Sequence, residues 1–128
     1  MKRLRKAIDA MGAADRFDIS IFPMQAFMQF PRGEEAIDRR AAYDEISRAH
    51  GTKGDDVWAR LQEVYAEEGL QLTRDGKVGN PFDAQRLLWF AEKKGKALDV
   101  LEALLEACHA KGQPLSDLAV LNDCAFKA

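Results

Sequence analysis

Asn80-Pro81-Phe82-Asp83-Ala84-Gln85-Arg86-Leu87 carries the sharpest start signal in the chain. An asparagine side chain accepts from the orphan amides of a first helical turn, and a proline directly after it lacks an amide that would have no partner there. Asn80 is therefore expected as the cap, and Pro81 as the first residue, of a helix whose buried stripe is Ala84, Leu87, Leu88 and Ala91. Downstream, Gly95 interrupts before Leu98, Leu101, Leu104, Leu105 and Cys108 form a second stripe, which Gly112 and Pro114 stop. Ser116 is expected to cap a last helix, with Leu115 and Val120 as its hydrophobic staple and Leu118, Leu121, Cys124 and Ala125 facing inward.

Upstream, Leu70 to Gly79 reads as extended chain with a turn at Asp75-Gly76. Before it, Asp55 or Asp56 can cap a helix with the stripe Val57, Trp58, Leu61, Val64 and Tyr65, closed by Gly69. A less regular helix is expected from Glu34 to His50, ended by Gly51, after a loop from Met24 to Gly33. Phe17, Ile19 and Ile21 alternate with Asp18 and Ser20, a period of two that predicts a strand over Phe17 to Phe22 until Pro23 removes a ladder donor. Leu4, Ala7, Ile8 and Met11 line one face of a first helix over residues 3 to 14. The fold class is thus mainly α, about six helices with one solid strand. A lone strand leaves backbone groups without partners. Phe17 to Phe22 is therefore expected either to pair with a partner protein or a second copy, or to belong to a larger α/β domain.

A length of 128 residues allows one domain and no second fold. Apolar residues at 47% against 31% charged mark a globular chain rather than a disordered one. The net charge of −2 gives no field for nucleic acid or acidic lipid. No stretch approaches the roughly 18 apolar residues of a membrane span. The basic run Lys2 to Lys6 is followed by Asp9 and Asp15 and by no apolar leader segment, against a targeting signal. Cys108 and Cys124 stand in no disulfide-scaffold or metal spacing, which fits a reducing, cytoplasmic setting.

Each cysteine falls on an apolar stripe, where a thiol behaves as a small hydrophobe with a raised pKa. His109 follows Cys108 directly, but helix neighbours point about 100° apart, so the two do not form a nucleophile and base pair. His50, His109 and the cysteines match no zinc pattern. Asp75-Gly76-Lys77-Val78-Gly79-Asn80 lacks the phosphate-loop order and reads as a plain turn. Glu67 with Glu68, and Glu34 with Glu35, read as solvated surface, and Trp58, Trp89 and Phe90 as core or interface groups. Lys93, Lys94 and Lys96 suit a helix C-terminus. No catalytic residue, metal ligand or cofactor is assigned.

The stretch from Asn80 to Leu87 resembles the N-[TS]-x-x-A-H-R-L helix start of DsbA-like thioredoxin-fold proteins, in the branch of FrnE-type oxidoreductases and 2-hydroxychromene-2-carboxylate isomerases. Lys2 to Ile8 looks like the helix that follows the redox site in that family, Ile19 to Met24 like its second strand, and Leu101 to Cys124 like its helical hairpin. Pro81 stands for the family's Thr or Ser, and Gln85 for its His. The resemblance implies a partial thioredoxin-like α/β fold, with residues 1–30 a remnant of the thioredoxin half and residues 31–128 the helical insertion subdomain. It implies thiol-disulfide oxidoreductase chemistry, or glutathione-dependent isomerase chemistry with a thiol or glutathione-type ligand. Either places a nucleophile at the N-terminus of helix one, where this sequence has Met1, Lys2 and Arg3 and no C-P-W-C-like motif. The expectation is a truncated member, inactive by itself, with Phe22, Pro23, Asn80 and Arg86 as binding residues by resemblance. The rival reading is a non-catalytic interaction module that pairs through the Phe17 to Phe22 edge.

Overall fold

The computed structural model describes every residue except Phe27 and Glu34. In chain order the described residues form α1 (Lys2–Ala10), a 3-10 turn (Ala14–Arg16), β1 (Ile37–Asp38), α2 (Arg39–Ala49), α3 (Gly54–Glu67) and β2 (Lys77–Val78). Then come α4 (Phe82–Glu92), α5 (Ala97–Leu105) running into a single π turn (Glu106–Ala110), and α6 (Leu118–Lys127). The chain is mainly α, as its periodicity predicts. Among the described residues no helix is long and apolar enough to cross a membrane.

The core sits where α4, α5 and α6 meet. Ala84, Leu88 and Ala91 from α4, Val100 and Leu104 from α5, Ala107 from the π turn, and Val120, Leu121 and Cys124 from α6 form one buried cluster. Their spacing of three and four residues puts each set on one helical face, so packing removes all three stripes from water together. The rest of the chain is more thinly covered. α1 buries only Ile8, and α3 buries no residue fully: of its expected stripe Val57, Leu61 and Val64 remain exposed, while Trp58 and Tyr65 are half-buried.

The expected strand over Phe17 to Phe22 does not form. That stretch has no regular structure and among the described residues joins no ladder, and the amide of Ile21 donates instead to a Glu92 carboxylate oxygen at 3.3 Å. Alternation offers a face to bury but supplies no neighbouring edge, and a strand needs both. The described strands are elsewhere and minimal: β1 and β2 pair antiparallel, Ile37 opposite Val78 and Asp38 opposite Lys77.

Several helix ends also differ from the sequence reading. α1 stops at Ala10 rather than residue 14. Asp38 caps α2 by accepting from the Ala41 amide at 2.9 Å. Glu34, where that helix was expected to begin, lies outside the described residues, and Glu35 precedes the helix. Asp55 and Asp56 lie inside the first turn of α3, where their charge favours the positive end of its dipole, rather than capping it. Asp117, not Ser116, caps α6, accepting from the Ala119 amide at 2.8 Å. The buried Ser116 hydroxyl donates instead to the Gly33 carbonyl at 2.7 Å, which a carboxylate could not. Leu118 (67% exposed) and Ala125 consequently face solvent, while Leu121 and Cys124 face the core.

The α2–α3 hairpin is fastened to the bundle by a close backbone pass. The Lys77 amide donates to the Gly112 carbonyl at 2.9 Å and the Thr73 amide to the His109 carbonyl at 2.8 Å. Gly76 (φ +105°) and Gly112 (φ +63°) face each other here, and a Cβ on Gly76 would run into the Gly112 carbonyl. Only glycine fits both the positive φ and the approach.

Candidate functional site

The start of α4 gathers the residues that the sequence singled out. Asn80 is 5% exposed. Its Oδ1 accepts from the Phe82 amide and from Gln25 Nε2, each at 3.0 Å, and its Nδ2 donates to the Met28 carbonyl at 3.2 Å. Its own amide donates to the Pro31 carbonyl at 2.8 Å. The expected capping role is therefore met from one residue further back than anticipated, since Pro81 takes the cap position of α4. The same side chain pins the 25–31 segment.

Two α4 side chains continue the fastening. Gln85 Nε2 donates to the Met24 carbonyl at 2.6 Å, and Glu92 accepts from Ile21. Residues 85 and 92 are two turns apart and share a helical face, so α4 holds the loop it faces at Ile21 and Met24. Arg86 does not join this line: it is exposed, and its Nη1 donates to Asp83 Oδ1 at 3.0 Å. Arg32 completes that ion pair from the loop and stacks 4.5 Å from the Phe82 ring centroid. Both arginines hold the Asp83 carboxyl below its usual range, Arg32 more than Arg86. Phe22 is 88% exposed and Pro23 half-buried. Among the described residues no hydrogen bond or ring contact joins Phe22 or Pro23 to Asn80 or Arg86.

At the other end, the first turn of α1 meets the end of α3. Lys2 Nζ donates to the Glu68 carbonyl at 2.6 Å, Lys6 Nζ to Glu68 Oε2 at 2.6 Å, and Arg3 to Glu68 and Glu67 at 2.8 Å each. Cations at a helix N-terminus and carboxylates at a helix C-terminus each oppose the local dipole, and their mutual pairing relieves both. Lys6 and then Arg3 pull the Glu68 carboxyl down to about 2. Beside this junction lies a groove of about 570 Å³ with an apolar wall of Val64, Leu70 and Leu105 and a rim of Lys2, Arg3 and Glu68. The acidic pair at Glu67 and Glu68, read as solvated surface, is in fact the clasp for α1, a long-range pairing with no local signature.

The thiols lie away from that helix start. Cys124 is buried in the bundle core and Cys108 is half-buried on the π turn, and both are free. Burial pushes the Cys108 thiol up despite the Arg39 guanidinium beside it, and burial likewise pushes Cys124 up. Burial and the Arg39 charge together hold the His109 imidazole below its usual range, so it is neutral at pH 7. Arg39 itself gives no signal in the sequence, because it stands beside Arg40 within the expected Glu34 to His50 helix with nothing local to set the two apart. In the fold its side chain is buried beneath α2 and reaches Cys108 and His109.

A mainly helical chain with a basic first helix, a minimal sheet and a helical bundle opening on Asn80 matches a known domain. Residues 4–128 fit the DSBA-like thioredoxin domain, and the chain belongs to that family. A search of curated proteins returns no match.

Proposed function

We propose that residues 1–128 act as the substrate-holding helical part of a thiol-disulfide oxidoreductase of DsbA-like type and contribute no redox thiol of their own. The family membership supports the reaction class. The observation that carries the second half is the placing of both cysteines. A redox thiol of this chemistry sits at a helix N-terminus, where dipole and free amides favour the thiolate. Cys108 and Cys124 sit in the closing turns of their helices, with thiols that burial pushes up. The groove beside the first turn of α1, with an apolar wall and a rim of both charge signs (Lys2 and Arg3 against Glu68, Glu102 and Glu106), suits an extended polypeptide. The FrnE-type branch is the finer assignment we favour, on the Asn80 to Leu87 motif, and free cysteines accord with a reducing cytoplasm.

The test is insulin-disulfide reduction. Residues 1–128 alone are expected to give no turnover above the thiol-reagent blank, and Cys108→Ser and Cys124→Ser no change. Turnover abolished by either substitution overturns the reading. The rival reading keeps one observation in its favour, the exposure of Phe17 and Phe22 on a stretch that joins no ladder among the described residues. Light scattering separates the two: a dimer lost on Ile19→Pro supports pairing through this stretch, and a monomer rejects it.

A further inference from the structure

Arg39 is 1% exposed, and its charge has no carboxylate beside it. Nη1 donates to the Cys108 carbonyl and Nη2 faces His109 Nδ1 at 3.5 Å, while the guanidinium lies 5.5 Å from the Tyr43 ring centroid. All these neighbours are uncharged. Nε is buried and has no hydrogen-bond partner. None of the ion pairs among the described residues includes Arg39. Arg74, on the same hairpin, shows the usual arrangement, paired with Asp44 at 2.7 Å and with Asp55. The carbonyl end of the π turn offsets part of the Arg39 charge, as a helix C-terminus does, but a buried cation calls for a full counter-charge.

The side chain lines a cavity of about 150 Å³ between α2 and α3, whose walls include Tyr43, Ser47, Trp58, Leu61 and His109. Asp44 is on the same wall, already engaged by Arg74. A cavity of roughly this size takes a benzene-sized molecule. Nη1 and Nη2 are engaged, so the Nε–H is the donor of Arg39 without a partner, and it suits one oxygen of a carboxylate, while the aromatic and aliphatic walls disfavour a bare inorganic anion by leaving its other faces unsolvated.

We propose that this cavity binds a small organic carboxylate with an apolar body, the carboxylate on Arg39 and the body against Tyr43, Trp58 and Leu61. The site is separate from the groove at α1 and takes no part in the thiol chemistry proposed above.

The experiment titrates the full chain with 3-methylbutanoate, read by Trp58 fluorescence in a Trp89→Phe background and by the unfolding midpoint. The expected result is a saturable signal and a midpoint that rises with ligand concentration. The neutral 3-methylbutanamide should bind about tenfold more weakly or worse, and Leu61→Phe, which fills the cavity and leaves Arg39 intact, should weaken the acid by a similar factor. Inorganic phosphate should not reproduce the signal. No saturable signal, an amide equal to the acid, phosphate equal to the acid, or undiminished binding in Leu61→Phe each overturns the proposal. A folded Arg39→Gln should lose the preference for acid over amide, and one that keeps it also overturns the proposal. Should Arg39→Gln fail to fold, the acid and amide comparison and Leu61→Phe decide the question by themselves.

Discussion

Asn80 ties three partners with one amide group: the first turn of α4, the Gln25 side chain and the Met28 carbonyl. Replacing it with alanine leaves buried partners unsatisfied, so Asn80→Ala is expected to destabilise the chain by about 1–3 kcal/mol in urea titration. Faster amide exchange should accompany the loss over residues 25 to 31. Gly76 offers a second test at this scale. Gly76→Ala combines a positive φ with a collision against the Gly112 carbonyl, whereas Gly33→Ala has a positive φ and open space. The first should lower stability by more than the roughly 1 kcal/mol expected of the second. Asn80 was legible as a helix-start residue because capping is local. Its hold on Gln25 and Met28 was not, because nothing at position 80 encodes which distant carbonyl will lie opposite. Ser116 and Asp117 show the same limit: either can cap, and the choice fell to a carbonyl contributed by Gly33.

Between elements, the clasp joining α1 to the end of α3 is electrostatic and titrates. The Glu68 carboxyl lies at about 2 in the fold against an ordinary 4.5, so its contribution is fully present above pH 4.5 and is lost as pH falls from there toward 2. Amide protection across α1 should fall in that window in the native chain, and Glu68→Gln should show low, nearly pH-independent protection there. Added salt should weaken the same contact at pH 7, since these groups are open to solvent. The helices of this region were legible from their apolar spacing, and so was the mainly α class. The Phe17 to Phe22 strand was misread because alternation records what a segment could bury, not whether an edge stands next to it. α3 makes the converse point, since its stripe is regular yet Val57, Leu61 and Val64 stay exposed.

For the molecule as a whole, stability is concentrated in the α4, α5 and α6 bundle. Leu104, at its centre, is expected to cost about 2–5 kcal/mol on substitution by alanine, measured by chemical unfolding. An equivalent cut at the exposed Leu4 of α1 should change stability by no more than about 0.5 kcal/mol. The family was readable from the Asn80 to Leu87 motif, while the Arg39 cavity was not, because a buried cation looks like any surface arginine until the helices close over it. The fastening of the 21–31 segment along α4 carries a further consequence for variation. Its described anchors are Asn80 just before α4 and Gln85 and Glu92 on it, reaching to main-chain groups and one glutamine, not side chains such as Phe22, Met24 and Met28, which point outward. A library randomised at those three outward positions should therefore yield mostly folded proteins, so this segment can be rewritten to present new surfaces on an unchanged frame.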